Sequence, residues 1–121
     1  MAKTILIVED NALNMKLFDD VLRAHGYSTV LSSDGHDIVE IACRNNADLI
    51  VMDVQLPERS GLELTKMVKS DARLRNLPVL AVTAFAAQLN ERQLKEAGCD
   101  GCIAKPISIP DFLGTVASYL A

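Results

Sequence analysis

The sequence predicts an α/β fold, a doubly wound five-stranded parallel sheet with five helices, and three short apolar runs are the main reason. Residues 5–8, 49–52 and 79–82 are uninterrupted apolar segments. They lack the alternation of a strand with one wet face, so each predicts a strand buried on both sides. The stretches between them have helical spacing, which is typical of parallel strands joined by right-handed crossovers. Weaker strands are predicted at residues 29–31 and 102–103.

Length and composition favour one domain spanning residues 1–121, with half of the residues hydrophobic and 23% charged. A formal net charge of -4 argues against a nucleic-acid partner, because binding to phosphate backbones needs clustered Lys and Arg. We find neither a run long enough to span a membrane nor an export signal. The three cysteines are an odd number, which predicts free thiols in a reducing cytoplasm. We expect a cytoplasmic monomer without a membrane partner.

Helix boundaries follow from capping residues. The first helix should begin after Asp10 or Asn11 and end at Gly26. Four of its apolar residues are predicted to point inward: Leu13, Leu17, Val21 and Leu22. The other helices are predicted from four further signals: Asp34 as the cap of the second, Ser60 with Glu63 as a capping box for the third, Gly98 as the end of the fourth, and Ser108 with Asp111, around Pro110, opening the fifth.

Polar residues follow four of the predicted strands. Glu9 and Asp10 follow the first, Asp53 the third, Thr83 the fourth and Lys105 the fifth. In an open parallel sheet the carboxyl ends of the strands form the crevice where ligands bind. The sequence therefore predicts that these five side chains share one site.

Three carboxylates in one site repel one another unless a cation compensates them. Magnesium prefers oxygen ligands and keeps some of its waters, so Asp10 and Asp53 are predicted as its direct ligands. A carboxylate beside such an ion can attack phosphorus, which makes Asp53 the predicted nucleophile. An ammonium and a hydroxyl are the expected companions of a phosphoryl group, and Lys105 and Thr83 provide them.

In this arrangement the chain resembles the response-regulator receiver family over its whole length. The marks of the resemblance, in chain order, are Glu9-Asp10, Asp53 with Pro57 and Gly61 behind it, Thr83-Ala84 and Lys105-Pro106. The resemblance implies the flavodoxin-like strand order 2-1-3-4-5. It also implies that Asp53 is the phosphoacceptor and that the bond before Pro106 is cis.

The same resemblance completes the ligand set. Asp10 would bind Mg²⁺ directly, Glu9 through water and Gln55 through its carbonyl, and Mn²⁺ or Ca²⁺ could substitute. Thr83 and Lys105 would contact the phosphoryl group.

Partners also follow from the resemblance, most closely to single-domain cell-cycle regulators through residues 8–11, 13–18, 55–58 and 81–86. The phosphoryl group would come from a sensor histidine kinase or a phosphotransfer protein, with slow self-dephosphorylation as the only turnover. The output would be contact with these and other signalling proteins. Surface residues near Asn14, Met15 and Phe85 are predicted to touch the kinase.

One position departs from the family pattern. Cys102 stands three residues before Lys105, where the family usually has a switching Tyr or Phe. In the family, Thr83 moves toward the phosphoryl group and makes room for that ring. Phe85 could partly replace the ring, and the coupling between site and surface is expected to change.

Two other classes and one other site remain as alternatives. A flavodoxin-like electron carrier needs a loop rich in Gly, Ser or Thr after the first strand, where this chain has Glu9-Asp10-Asn11. A haloacid-dehalogenase-like phosphatase needs an acid at position 55, which is Gln. Cys99 and Cys102 have redox or zinc spacing, but without a second pair we expect structural thiols.

Overall fold

The chain is described here by a computed structural model covering residues 2–54, 56, 60–83 and 91–120. Strands and helices alternate along it: β1 Thr4–Val8, α1 Ala12–Ala24, β2 Ser28–Ser32, α2 Ile38–Arg44, β3 Leu49–Asp53, α3 Gly61–Ser70, β4 Val79–Thr83, α4 Glu91–Ala97, β5 Gly101–Ala104 and α5 Ile109–Leu120. All five predicted strands are confirmed. In the described ranges, no helix combines the length and the apolar character needed to cross a membrane.

The strands form one parallel sheet in the order β2-β1-β3-β4-β5, which confirms the predicted fold class and strand order. β1 pairs with both β2 and β3, and β4 pairs with β3 and β5. Every residue of β3 and β4 is buried, because helices cover the sheet on both faces. The apolar runs in the sequence are uninterrupted because both faces of the central strands are buried.

Successive residues of each central strand enter different cores. One core lies under α2 and α3 and contains Leu6, Ile50 and Leu64. The other lies under α1 and α5, where the rings of Phe18 and Phe112 meet at a centroid distance of 5.1 Å. This alternation holds the strands rigidly in register and fixes where each carboxyl end lies.

Helix α1 begins and ends as predicted, but its buried face is not the predicted one. The side chain of Asn11 accepts a hydrogen bond from the Asn14 amide at 3.0 Å, and Gly26 ends the segment with a φ of 88°. Leu22 is buried, whereas Leu13 is 80% exposed and Leu17 is 43% exposed, so the prediction was wrong for these two residues.

The reason is helical geometry. Residues 15, 18 and 22 form one stripe at spacings of three and four, and this stripe packs into the core. At about 100° per residue, positions 13 and 17 lie on the far side of the helix. Both sets of residues are apolar in sequence, but only the stripe of residues 15, 18 and 22 packs against the sheet.

The other helix ends are mixed. The prediction for Asp34 was wrong: α2 begins at Ile38, and the Asp34 carboxylate instead accepts a hydrogen bond from the His36 amide at 2.8 Å. Its short side chain satisfies a local turn before the helix starts.

The remaining three boundaries are confirmed. Ser60 caps α3, although it accepts from the Leu62 amide at 3.1 Å and not from that of Glu63. Gly98 follows α4 with a φ of 101°, and α5 starts directly after Ser108.

Candidate functional site

The carboxyl ends of four neighbouring strands bring the predicted side chains to one edge of the sheet. Glu9 follows β1, Asp53 ends β3, Thr83 ends β4 and Lys105 follows β5. The Lys105 amide donates to the Thr83 carbonyl at 2.8 Å, which continues the ladder between β4 and β5 past its last paired residues. The backbone thus fixes Lys105 beside the end of β4.

Glu9, Asp10 and Asp53 form an acidic cluster. One carboxylate oxygen from each lies within 4.8 Å of the others. Glu9 and Asp53 are each 2% exposed, whereas Asp10 is exposed to solvent. The cluster therefore has a buried floor of two acids and an accessible acid at its mouth.

Lys105 supplies the positive charge of the site. Its Nζ donates to Glu9 Oε2 at 3.3 Å and lies 3.5 Å from Asp53 Oδ2. The other oxygen of Glu9, Oε1, accepts from the Asn11 amide at 3.2 Å. A buried carboxylate destabilises the folded protein unless it is paired with a positive charge. The Lys105 ammonium, shared by Glu9 and Asp53, therefore stabilises both buried acids.

The cluster suits a hard divalent cation. Among the described residues, three carboxylates and one ammonium make up this cluster and its ion pairs, so a dication would balance the remaining negative charge. Ligands on opposite sides of Mg²⁺ lie about 4.2 Å apart, given metal–oxygen distances near 2.1 Å. The spread of the three oxygens fits direct contact by some acids and contact through water by another.

Thr83 and Cys102 lie on the neighbouring strands β4 and β5. Thr83 is fully buried. Cys102 lies on β5 opposite Ala81 of β4, and its side chain is exposed. Burial of part of its surface raises the pKa of the Cys102 thiol.

Gly61 positions Asp53 in a way that sequence reasoning did not detect. A methyl group added at Gly61 would lie 2.3 Å from the Asp53 carbonyl oxygen, and the Gly61 amide donates to the Val54 carbonyl at 2.8 Å. The start of α3 thus rests directly on the strand end that holds Asp53. The sequence analysis named Gly61 only as a mark of the family resemblance, without this physical reason.

The cis bond expected between Lys105 and Pro106 is present. Four residues named from the sequence, Gln55, Pro57, Ala84 and Phe85, lie outside the described residues.

The chain is similar to known proteins in both sequence and fold. The family model of the response regulator receiver domain matches residues 5–117. The chain belongs to the response regulator receiver domain family. This membership favours a receiver over the electron carrier and the phosphatase considered from the sequence.

Relatives of this receiver domain include the polar-differentiation response regulators DivK of Brucella ovis and Brucella anthropi. Each is 51% identical over 120 residues, which covers 99% of this chain and 98% of the relative. The match runs across nearly the full length of both proteins.

Solved receiver structures share the fold. The receiver domain of a Pseudomonas aeruginosa sensor histidine kinase, with a magnesium ion in its active-site cleft, has a TM-score of 0.90 and 31% identity, covering 99% of this chain and 98% of that one. The chemotaxis protein CheY4 of Vibrio cholerae has a TM-score of 0.92 at 24% identity, covering 98% and 99%. CheY4 supports the fold alone.

Proposed function

We propose that this receiver domain accepts a phosphoryl group on Asp53, with Mg²⁺ held by Asp10, Asp53, the Gln55 carbonyl and, through water, Glu9. The observation that carries the proposal is the pairing of a buried Asp53 with the Lys105 ammonium inside an acidic cluster. The carboxylates of this site would repel a negatively charged phosphoryl group. The site would become favourable for that group when Mg²⁺ and Lys105 balance the charge of the carboxylates.

The proposed reaction is transfer from phosphohistidine. An Asp53 carboxylate oxygen forms a bond to phosphorus, the phosphorus–nitrogen bond breaks, and the departing imidazole nitrogen takes up a proton. Bound Mg²⁺ would neutralise charge on the transferred oxygens. Lys105 is already within 3.5 Å of the acceptor carboxylate and would hold the phosphoryl oxygens after transfer. Thr83 would contribute its hydroxyl as a donor.

We propose that the donor is a histidine kinase or phosphotransfer protein and that it docks on α1. Leu13 and Leu17 are large apolar residues on the exposed face of this helix. The same helix begins two residues after Asp10, so a partner covering it would reach the acidic cluster. Asn14 and Met15, half-buried beside them, would border the contact.

The output, in this proposal, is phosphorylation-dependent contact of a monomer with signalling proteins of the bacterial cytoplasm. The likeness to polar-differentiation regulators supports a role in the cell cycle. The three cysteines are free, which agrees with a reducing compartment. Turnover would be limited to self-phosphorylation from small phosphodonors and slow self-dephosphorylation.

Intact mass spectrometry after incubation with acetyl phosphate and Mg²⁺ tests the acceptor and the metal together. We expect one added phosphoryl group in the wild type, none in Asp53→Asn and much less in Asp10→Asn. Asp111→Asn, a change of an exposed acid in the first turn of α5, is the matched control and should behave as wild type. Incorporation in Asp53→Asn equal to that of wild type would overturn the proposal. Parallel reactions with Mn²⁺ or Ca²⁺ test substitution of the metal.

A further inference from the structure

Two of the three cysteines line one cavity, far along the chain from the acidic cluster. Cys99 and Cys102 line a space of about 350 Å³ together with Leu94, Lys95, Asp100 and Gly101. The third cysteine, Cys43, lies on α2 and lines a different cavity. Both residues of the predicted structural pair therefore border a common space.

The turn between α4 and β5 brings the two cysteines to this cavity. The Gly98 and Cys99 amides both donate to the Leu94 carbonyl, which ends the helix tightly. The Asp100 amide then donates to Val79 at 2.8 Å and starts β5, on which Cys102 is exposed. Cys99 is half-buried, and its thiol lies 3.9 Å from the Thr65 hydroxyl.

We propose that Cys99 and Cys102 form a two-thiolate binding site for a soft monovalent metal ion of the Cu(I) type. Thiolates select soft ions such as Cu(I) over hard ions such as Mg²⁺. The site shares no residue with the acidic cluster, although Cys102 is also the position that departs from the family's switch pattern.

The ligand count distinguishes this ion class from zinc. A structural zinc site takes four ligands in a tetrahedron. In the ranges covered by the structure, the only group of three or more potential ligands from His, Cys, Asp and Glu is the acidic cluster. The Asp100 carboxylate is also engaged, since its Oδ2 accepts from Lys69 Nζ at 2.9 Å and from the Val79 amide at 2.8 Å. Two sulfurs remain, and two sulfurs suit an ion of low coordination number.

Both thiols must lose a proton when the ion binds. Burial raises the pKa of both thiols, and at Cys99 the nearby Asp100 carboxylate raises the pKa further, while the Thr65 hydroxyl and the Lys69 ammonium lower it. The free site is therefore protonated, and binding of the ion releases two protons to solvent. The product carries one negative charge, which the ammonium group of Lys95, in the cavity wall, can balance.

Competition with a coloured Cu(I) chelator under anaerobic, reducing conditions tests the site. The wild type should withdraw one Cu(I) per chain from the chelator. Cys43→Ser is the matched control and should bind equally. Cys99→Ser and Cys102→Ser should each bind more than about 100-fold more weakly, beyond the 10–100-fold typical when only a supporting partner of a metal ligand is lost.

Three results would overturn the proposal: no Cu(I) taken up by the wild type, unchanged affinity in Cys102→Ser, or loss of binding in Cys43→Ser. Cys102 is exposed, so its replacement should leave folding intact, and thermal unfolding of each variant without metal checks this. Binding that persists in Cys99→Ser with formation of a dimer on gel filtration would also overturn it, because the ion would then join two copies through Cys102.

Discussion

Replacing Gly61 by alanine should weaken both the fold and the acceptor site. The added methyl group would lie 2.3 Å from the Asp53 carbonyl oxygen and 2.7 Å from the Val54 Cα. These are backbone atoms of the strand end that carries the acceptor, so no flexible side chain can move aside. Either α3 or the end of β3 must shift by about 1 Å to restore ordinary contact distances near 3.4 Å.

The expected cost follows from this overlap. Forcing one extra methyl into a filled space typically costs about 1–3 kcal/mol. For a chain of this size that lowers the melting temperature by roughly 3–15 °C. A shift of about 1 Å at a reacting group can also slow reaction up to about 100-fold, so the rate of phosphorylation by acetyl phosphate should fall as well.

Gly114→Ala is the matched control. Gly114 lies inside α5, and within the described part of the chain no atom outside its chain neighbours and the backbone of its own helix lies within 4 Å of the position that a methyl group would take. Alanine there should stabilise the protein by about 0.5–1 kcal/mol through helix propensity. Urea denaturation of both variants, with the phosphorylation rate measured in parallel, gives the comparison. A Gly61→Ala protein as stable and as reactive as the wild type would refute the reasoning.

Three more predictions concern the charge balance, the helix surface and the switch. In buffer with a chelator that removes divalent ions, Lys105→Ala should lower the free energy of unfolding by about 1–3 kcal/mol. This is less than the loss of about 3–5 kcal/mol when a fully buried ion pair is broken, because the Lys105 side chain is 21% exposed. Added Mg²⁺ should restore part of the lost stability, measured by urea denaturation. An equal loss of stability with and without Mg²⁺ would contradict the idea that Lys105 and the ion both balance the charge of the acidic cluster. Leu13→Ser should change stability by less than about 0.5 kcal/mol yet weaken binding to the phosphodonor kinase in a titration. Phe18→Ala, on the buried face of α1, should lower the free energy of unfolding by about 3–5 kcal/mol. Similar losses of stability in Leu13→Ser and Phe18→Ala would reject the exposed face of α1 as the kinase contact. Cys102→Tyr should leave phosphorylation of Asp53 intact while changing the gain in partner affinity that phosphorylation brings, measured in buffer that contains Mg²⁺ and no copper. An unchanged gain would reject a role for this position in the switch.

Local sequence was sufficient wherever one pattern has one physical solution. A run such as residues 49–52, apolar at every position, can be satisfied only by a strand covered on both faces, and β3 is such a strand. Polar residues directly after such runs must lie at the sheet edge where parallel strands end. This is why Glu9, Asp53 and Lys105 could be placed together before any coordinates.

Local sequence was insufficient where two solutions compete. Helix α1 has two apolar stripes, and periodicity alone does not say which one meets the sheet. The stripe with Phe18 packs against Phe112 of α5, a contact with a residue 94 positions away in the chain. That long-range packing leaves Leu13 and Leu17 to solvent. Asp34 is a similar case, because a capping residue can equally close a turn.

The layered fold, the strand order implied by the family resemblance and the members of the acidic cluster with its lysine could be predicted from the sequence. Three features became clear only from the packed structure: which face of α1 is buried, that Gly61 must lack a side chain, and that Cys99 and Cys102 line one cavity. The division has a physical reason. Burial patterns and strand ends are properties of short segments, whereas close approaches between elements depend on how distant segments pack together.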